Sequence, residues 1–289
     1  MGAPMKVVLF CGGLGMRLRD YDENVPKPIV PIGYRPILWH VMKYYAHFGY
    51  KDFILCLGYR GDVIKNYFRN YDECDSNDFV LSEGGRKVEL LRSDIGDWRI
   101  TFVDTGTNSS IGQRLLAVEP HLAGQGEFFA NYSDGLSDLP LPAQLEHFRR
   151  HDCTASFLCV RPQLSYHFVT SRNGGQVTSI QEIGQTGLRI NGGYFILKTA
   201  IFDHLRRGGD LVMDAFQRLM AGNQLLAYRY DGFWVSMDTF KDKQHLDDRY
   251  ARGDAPWEVW KRPPASDSPG AAPLSVRPPS GRRRAVRSH

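Results

Sequence analysis

The residues best suited to chemistry lie near the start of the chain, where a short apolar run leads into "CGGLGMRL" and then "PKP". Gly12, Gly13 and Gly15 follow the run directly, and glycines at such a position let backbone N–H groups approach a phosphate closely. Arg17 and Lys27 come next, and an arginine fork with a lysine point charge suits the neutralisation of a polyphosphate. Taken alone, the stretch is equally compatible with an ordinary tight turn.

Two well-known glycine-rich motifs are incomplete in this stretch. A dinucleotide-binding loop would need a third glycine where the chain has Leu18, and the Gly-Lys-Ser/Thr of a Walker loop is absent. Because the motif lacks its third glycine and no obvious acidic ribose ligand is present, a dehydrogenase is disfavoured.

Two aspartates could provide the metal chemistry that a polyphosphate requires. Asp134 follows the apolar run "FFANYS", and Asp238 lies in "FWVSMDT" after a second apolar segment. A single aspartate in a loop is often only a turn or cap residue. Both, however, are placed to emerge at strand ends, where open α/β sheets bind ligands, and Mg²⁺ is commonly held by one or two carboxylates plus phosphate oxygens.

The elements that must position these residues alternate between short apolar runs and segments of helical period, a pattern typical of α/β packing with a largely parallel sheet. We expect strands at residues 7–10, 53–57, 100–103, 128–132 and 155–160. We expect helices between Pro36 and Gly49 and at residues 62–71, 145–151 and 213–220.

The motifs taken together resemble a known family. "GGLGMRL" followed by "PKPIVPIGYRPILWHVM" resembles the N-terminal signature of the sugar-phosphate nucleotidyltransferases. "GYRGDVIKNYF", "VDTG", "YSDGLSD", "NGGYFIL", "DGFWVSMDT" and "APWEVW" are similar in order and spacing to the glucose-1-phosphate cytidylyltransferase branch. The resemblance covers residues 6 to about 260. It implies a Rossmann-like, mostly parallel sheet flanked by helices, in one nucleotidyltransferase domain over residues 1–261.

The resemblance also implies roles for the residues introduced above. Asp134 and Asp238 would bind Mg²⁺, while Arg17 and Lys27 would be catalytic. The residues implied to surround the nucleoside triphosphate (NTP) in the glycine loop are Gly12, Gly13, Gly15 and Met16. The reaction would be attack of a sugar-1-phosphate oxygen on the α-phosphorus, with pyrophosphate released. Since the nucleophile is already anionic, positioning and electrostatics suffice without a general base.

Further positions match the family's substrate-binding segments. Tyr59, Thr105 and Arg114 resemble residues that line the nucleotide pocket, and the implied sugar-phosphate residues are Glu182, Asn191 and Gly192. Each has an ordinary structural alternative, because an aromatic residue at a strand end is often core and an arginine after a loop is often solvated. The "NGG" stretch could equally be a turn at the entry to a strand.

Two positions depart from the family pattern. Met16 stands where the family has a threonine or serine that donates a hydroxyl to phosphate, and Ile183 stands where a lysine contacts the sugar phosphate. Losing a charge-assisted contact typically costs about 1.5–3 kcal/mol. Either another cation compensates, Arg161 and Arg189 being the candidates, or the acceptor is not glucose-1-phosphate.

Three functional hypotheses therefore stay open. The first is an Mg²⁺-dependent nucleotidyltransferase that uses CTP and glucose-1-phosphate. The second is a related enzyme of secondary metabolism that uses another NTP, such as GTP, and an unusual sugar or cyclitol phosphate such as valienol-1-phosphate. The third is a nucleotide-sugar-binding regulator without turnover. The presence of Arg17, Lys27, Asp134 and Asp238 speaks against it.

Composition limits the partners. The net charge of +4 arises from residues 262–289, which hold six arginines and one aspartate, so residues 1–261 are close to neutral and nucleic acid is not an expected partner. Those last residues are rich in proline and arginine with few large apolar side chains, which predicts a disordered tail. No stretch is long enough for a membrane span. Five cysteines without a CxxC pair favour a reducing cytoplasm, and the family implies a homo-oligomer.

Overall fold

The computed structural model describes residues 4–13, 25–163 and 167–262. A mixed, mostly parallel sheet forms its centre. The strands of this sheet are β1 (Val7–Phe10), β4 (Asp52–Leu57), β7 (Arg99–Asp104), β8 (Glu127–Tyr132), β10 (Ala155–Val160), β13 (Ile190–Asn191), β14 (Phe195–Lys198) and β15 (Leu225–Arg229). All five predicted strands are present.

The sheet order is β15-β10-β14-β8-β1-β4-β7. β1 pairs in parallel with β4 and β8, and β4 pairs in parallel with β7. β14 runs antiparallel to both β8 and β10, and the short β13 pairs with a further stretch of β10. The predicted, largely parallel α/β sheet is thus confirmed, with one antiparallel insertion that the sequence did not indicate.

The central strand is buried on both faces, which explains its unbroken apolar run. Val7 and Leu9 pack into one hydrophobic cluster, and Val8 and Phe10 into the other. A strand covered on both sides needs apolar residues at every position rather than at alternate ones.

Helices cover the two faces of the sheet. They are α1 (Ile37–His47), α2 (Gly61–Arg69), α3 (Ile111–Val118), α4 (Leu141–His151), α5 (Phe216–Ala221) and α6 (Phe240–Ala251). A π-helical turn, Leu211–Ala215, leads into α5. The four predicted helices correspond to α1, α2, α4 and the segment that contains α5, whereas α3 and α6 were not predicted.

Four two-stranded ribbons complete the described fold. They are β2 (Pro31–Ile32) with β3 (Arg35–Pro36), β5 (Phe79–Ser82) with β6 (Lys87–Leu90), β9 (Gly135–Ser137) with β16 (Trp234–Ser236), and β11 (His167–Ser171) with β12 (Val177–Glu182). The β5–β6 ribbon is exposed along its whole length, while β9 is buried beside the candidate site. None of the helices in the described ranges is both long and apolar enough to cross a membrane. The predicted tail lies outside the described residues beyond Arg262.

Candidate functional site

A cavity of about 310 Å³ lies at the carboxyl ends of β1 and β8. Its lining residues are Phe10, Gly12, Gly13, Lys27, Pro28, Ser109, Ser110, Ile111, Arg114, Tyr132, Ser133, Asp134 and Asp210. Five of the site residues predicted from the sequence are among them. The position agrees with the rule that α/β sheets bind ligands at the carboxyl edge of their parallel strands.

Lys27 and Asp134 line this cavity, and Asp238 contacts Lys27. The Lys27 ammonium donates to Asp134 Oδ2 at 2.6 Å and to Asp238 Oδ1 at 2.7 Å. Its side chain is 14% exposed, whereas the two carboxylates are 26% and 42% exposed. The structure therefore brings together three predicted residues that are far apart in the sequence.

The β9–β16 ribbon accounts for the approach of the two carboxylates. Asp134 comes directly before β9 and Asp238 follows β16, and Ser236 is paired with Gly135 in the ribbon. The Met237 amide donates to the Asp134 carbonyl at 2.9 Å, which continues this pairing up to the acidic residues. The distance between the carboxylates is thus set by backbone hydrogen bonds.

Asp238 is further held by its own surroundings. Ser236 donates its hydroxyl to Asp238 Oδ2 at 2.7 Å. Thr239 and Asp242 form a capping box at the start of α6, and the Asp242 carboxylate also accepts from the Asp238 amide at 3.1 Å. Helix α6 therefore begins immediately after this carboxylate and fixes its backbone.

Lys27 lies on a 3₁₀ turn, Lys27–Ile29, between two prolines. The turn is closed by a hydrogen bond from the Val30 amide to the Lys27 carbonyl, so the backbone is constrained while the long side chain reaches into the cavity. Burial by itself would lower the pKa of Lys27, but attraction and hydrogen bonds from Asp134 and Asp238 outweigh it and raise that pKa. Lys27 is consequently a cation at neutral pH.

The glycines after β1 differ in their surroundings. A Cβ atom on Gly12 would lie 2.0 Å from an Arg114 guanidinium nitrogen, whereas one on Gly13 would meet nothing within 4 Å. Gly12 is required for packing, and Gly13 leaves the cavity wall open to a ligand. The predicted residues Gly15, Met16 and Arg17 lie outside the described residues.

Arg114 is a buried link between the loops that follow three strands. Its guanidinium donates to the carbonyls of Gly12, Leu57 and Thr107 at 2.9, 3.2 and 3.3 Å, and to the Thr105 hydroxyl at 2.7 Å. Thr105 in turn donates to the Leu57 carbonyl at 2.7 Å. With 3% of its surface exposed, Arg114 forms part of the cavity wall through a structural network. Tyr59 is half-buried in the turn between β4 and α2 and is not among the described residues that line the cavity.

The predicted sugar-phosphate residues lie on two separate segments. Gly192 is buried, and its carbonyl accepts from the Trp234 indole at 2.9 Å. Asn191 accepts from the Gly193 amide at 2.9 Å, which makes a tight turn between β13 and β14. Glu182 ends β12 with an exposed side chain that accepts from Gln185. The structure therefore does not bring Glu182 to the cavity lining.

The two arginines considered as substitutes for the missing lysine share one partner. Arg161 and Arg189 both form ion pairs with Asp231 Oδ1, at 2.9 and 2.8 Å. Arg189 is also committed to two backbone carbonyls, whereas the Arg161 side chain is 58% exposed. Of the two, Arg161 is the more available to a substrate anion.

Sequence reasoning missed several residues that line the cavity, among them Ser109, Ser110, Tyr132 and Asp210. One signal was readable: Ser110 and Gln113 have the spacing of a capping box, which the structure shows at the start of α3. Burial and then the charges of Asp210 and Asp134 raise the pKa of Tyr132 to about 12, so its hydroxyl stays protonated. Asp210 caps the start of the π-helical turn, and the hydrogen bond from the Ser110 hydroxyl to the Gly209 carbonyl brings it beside α3.

A cysteine also lies next to β1, at the base of the site. Cys11 is fully buried, and burial raises the pKa of its thiol to about 12. Because the thiolate is the reactive form, this cysteine is inert as a nucleophile at neutral pH. All five cysteines are free thiols.

Comparison with protein-family models matches residues 6–243 to the nucleotidyl transferase family. The chain belongs to this family. The glucose-1-phosphate cytidylyltransferase of Salmonella typhimurium is 36% identical over 259 residues, which are 89% of this chain and 100% of that protein. The probable glucose-1-phosphate cytidylyltransferase of Bacillus subtilis is 32% identical over 258 residues, with the same coverage of both chains. These findings confirm the nucleotidyltransferase class that the motifs predicted.

A solved structure supports the fold of this nucleotidyltransferase. HddC from Yersinia pseudotuberculosis superimposes with a TM-score of 0.60 at 20% sequence identity, over 85% of this chain and 99% of that one. At this identity the likeness concerns the fold alone.

Proposed function

We propose that the protein is an Mg²⁺-dependent nucleotidyltransferase that couples an NTP to a sugar-1-phosphate and releases pyrophosphate. The observation that carries this proposal is the contact of Lys27 with both Asp134 and Asp238, beside a cavity that Lys27, Asp134, Gly12 and Gly13 line. A cation and two carboxylates beside a glycine loop form a site for a polyphosphate and a hard metal ion. Membership of the nucleotidyl transferase family agrees with this chemistry.

The donor set suits Mg²⁺. Asp134 and Asp238 present carboxylate oxygens that already converge on one cation, the Lys27 ammonium. Among the described residues, no group of three or more histidine, cysteine, aspartate or glutamate side chains is placed to hold a metal. Mg²⁺ usually takes only one or two carboxylates and completes its shell with water and phosphate. When bound, the ion would neutralise phosphate charge and orient the triphosphate.

The reaction needs little from the protein beyond position and charge. One oxygen of the sugar phosphate forms a bond to the α-phosphorus, the bond from that phosphorus to the bridging oxygen breaks, and pyrophosphate leaves with the electron pair. Lys27 would donate hydrogen bonds to the phosphoryl oxygens, where negative charge must be stabilised. The inert Cys11 and the absence of a required general base agree with direct transfer.

CTP and glucose-1-phosphate are the proposed substrates. The support is the similarity, at 36% and 32% identity, to proteins that bear the name glucose-1-phosphate cytidylyltransferase and are covered along their full length. The match to the nucleotidyl transferase family model, over residues 6–243, includes both the glycine loop and Asp238.

The decisive experiment is pyrophosphate release over a panel of NTPs and sugar phosphates, with Mg²⁺ and then with EDTA. We expect turnover for CTP with glucose-1-phosphate and its loss in EDTA. If no pair turns over while nucleotide sugars still bind, the enzyme hypothesis fails and the non-catalytic regulator replaces it. Turnover that persists in EDTA would refute the metal requirement.

One observation favours a second candidate, an enzyme that uses another NTP such as GTP and an unusual acceptor such as a cyclitol phosphate. Ile183 removes the expected cation, and Arg189 is already committed to Asp231 and to backbone carbonyls. A pocket with less positive charge would bind the phosphate of glucose-1-phosphate more weakly. The same panel, extended to GTP and valienol-1-phosphate, separates the two candidates by kcat/KM.

A further inference from the structure

Lys27 has two carboxylate partners, and both belong to the proposed metal site. Its ammonium donates to Asp134 at 2.6 Å and to Asp238 at 2.7 Å, so it lies where a cation shared by the two carboxylates would lie. The three charges sum to minus one, and the lysine side chain is 14% exposed. An ammonium so placed repels any second cation that approaches the same oxygens.

The carboxylates are the fixed members of this cluster. Hydrogen bonds of the Met237 and Asp238 amides fix the backbone of both acids, whose side chains are short, and the Asp238 carboxylate also accepts from Ser236. Lys27 has these two ion pairs and a constrained backbone turn, but its four-carbon side chain can rotate and carry the ammonium to a new partner without moving the backbone. If one member moves when substrate binds, it is the lysine ammonium.

A triphosphate would give that ammonium a new partner. Lys27, Gly12 and Gly13 line one cavity, so phosphate oxygens beside the glycines would lie within the range of the lysine side chain. A hydrogen bond from lysine to phosphate is charge-assisted, and it would compensate for the loss of the two ion pairs.

We propose that Lys27 competes with the divalent cation for Asp134 and Asp238, and that it releases them only when nucleotide phosphate provides a replacement partner. This inference rests on the proposed function, since it assumes the metal site. Its consequence is a positive coupling between metal and nucleotide: each binds more tightly when the other is present, by the same factor.

The test measures Mn²⁺ binding without nucleotide, by electron paramagnetic resonance of the free ion. K27M and K27Q should each bind Mn²⁺ at least about ten-fold more tightly than the wild type, within the range of ordinary coupling factors. Two variants are used so that a folding defect in one leaves the other informative. K51M is the matched control, because Lys51 forms an ion pair with Asp97 away from the cavity, and it should leave Mn²⁺ affinity unchanged.

Two further measurements test whether the gain in Mn²⁺ affinity depends on the carboxylates and on nucleotide. In the double variant K27M/D134N the gain in Mn²⁺ affinity should disappear, since one of the two carboxylates is gone. With the NTP that turns over in the substrate panel, Mg²⁺ should tighten nucleotide binding by a larger factor in the wild type than in K27M.

Equal Mn²⁺ affinity in the wild type, K27M and K27Q would overturn the inference, as would a gain that survives D134N. These outcomes are distinct from a failure of the proposed function. Turnover in EDTA removes the metal requirement itself, whereas metal-dependent turnover with unchanged Mn²⁺ affinity removes only the role of Lys27 as a competitor.

Discussion

At the scale of single residues, Lys27 and Asp134 should be indispensable for turnover. Asp134→Asn removes a charge from the proposed metal site, and Lys27→Ala removes the cation that stabilises the phosphoryl group. Each should lower kcat by about 10²–10³-fold, the usual effect of losing one group that stabilises transition-state charge. The measurement is steady-state pyrophosphate release, with circular dichroism to establish that the fold is intact. Wild-type rates in either variant would refute the proposed role.

Gly12 and Gly13 allow a matched pair of substitutions at neighbouring positions. Gly12→Ala would place a methyl group 2.0 Å from the Arg114 guanidinium, which is buried and bonded to four acceptors, and so cannot move aside at little cost. We expect a loss of about 2–3 kcal/mol in the free energy of unfolding, the value of a disrupted charged hydrogen bond.

Gly13→Ala is the control for this effect on stability, because its methyl group would meet nothing within 4 Å. Chemical denaturation of the two variants beside the wild type measures the difference. Equal stability of Gly12→Ala and Gly13→Ala would show that the Arg114 network does not depend on the close approach of Gly12.

At the scale of elements, strands with long apolar runs could be predicted from the sequence, whereas the exposed ribbon could not. β1, β4, β8 and β10 were predicted because burial within the sheet requires nearly unbroken apolar runs, whereas β7 lies at the edge of the sheet and is only half-buried. The β5–β6 ribbon is exposed throughout, so it carries no pattern of burial to detect. β14 was not among the predicted strands although it is buried, and its antiparallel direction depends on the neighbours with which it pairs.

The same limit applies to the candidate site. The family signature indicated Lys27, Asp134 and Asp238. That the two aspartates lie near the same lysine follows in part from the β9–β16 ribbon, which pairs segments about a hundred residues apart. Arg114 was predicted to line the pocket. Only the structure shows that its guanidinium donates hydrogen bonds to the loops at the strand ends. Asp210 reaches the cavity because its turn is joined to the start of α3 by the hydrogen bond of Ser110 to the Gly209 carbonyl, a contact between distant segments.

Helix α1 and the C-terminal segment around Trp257 provide a pH-dependent contact. His40 is 2% exposed; its Nε2 lies 3.0 Å from the Ile32 carbonyl, and its Nδ1 accepts from the Trp257 indole at 3.3 Å. Burial lowers the pKa of His40 to about 4, and the nearby Lys261 adds to this, while backbone hydrogen bonds oppose it. The folded protein thus holds a neutral imidazole.

The unfolded chain takes up a proton at His40 near its ordinary pKa of about 6.5, whereas the folded protein does so only near 4. Stability is therefore full above pH 6.5 and falls as the pH decreases towards 4, by an amount on the order of 3 kcal/mol. Denaturant unfolding at pH 7, 5.5 and 4.5 measures this decrease in stability. His40→Gln should show a smaller decrease over this range, and an identical decrease would assign the effect to other groups.

At the scale of the whole molecule, the homo-oligomer implied by the family is open to direct measurement. Light scattering coupled to size-exclusion chromatography should give a mass above the 32.8 kDa of one chain. A mass that matches one chain at micromolar concentration would refute the expectation. This measurement is independent of the active-site variants, because it needs neither substrate nor metal.

The C-terminal tail should be dispensable for catalysis. The last described residues include Trp257 and Val259, which are 1% and 8% exposed, and Arg262, which donates to the Pro256 carbonyl at 2.7 Å. A truncation after Arg262 keeps these anchors, and the removed residues 263–289 contain few large apolar side chains that could contribute to a core. We expect unchanged kcat/KM and an unchanged melting temperature.

A matched truncation sharpens this prediction about the tail. Ending the chain at residue 256 removes Trp257, which packs on Phe233 and bonds to His40, and should destabilise the protein by about 3–5 kcal/mol, as for other large buried aromatic side chains. Thermal melts and pyrophosphate release are measured for both truncated proteins. The comparison distinguishes the effect of losing the segment around Trp257 from the effect of losing the tail. A large loss of activity in the 1–262 protein would show that the arginine-rich tail contributes to the reaction, for instance by attracting anionic substrates.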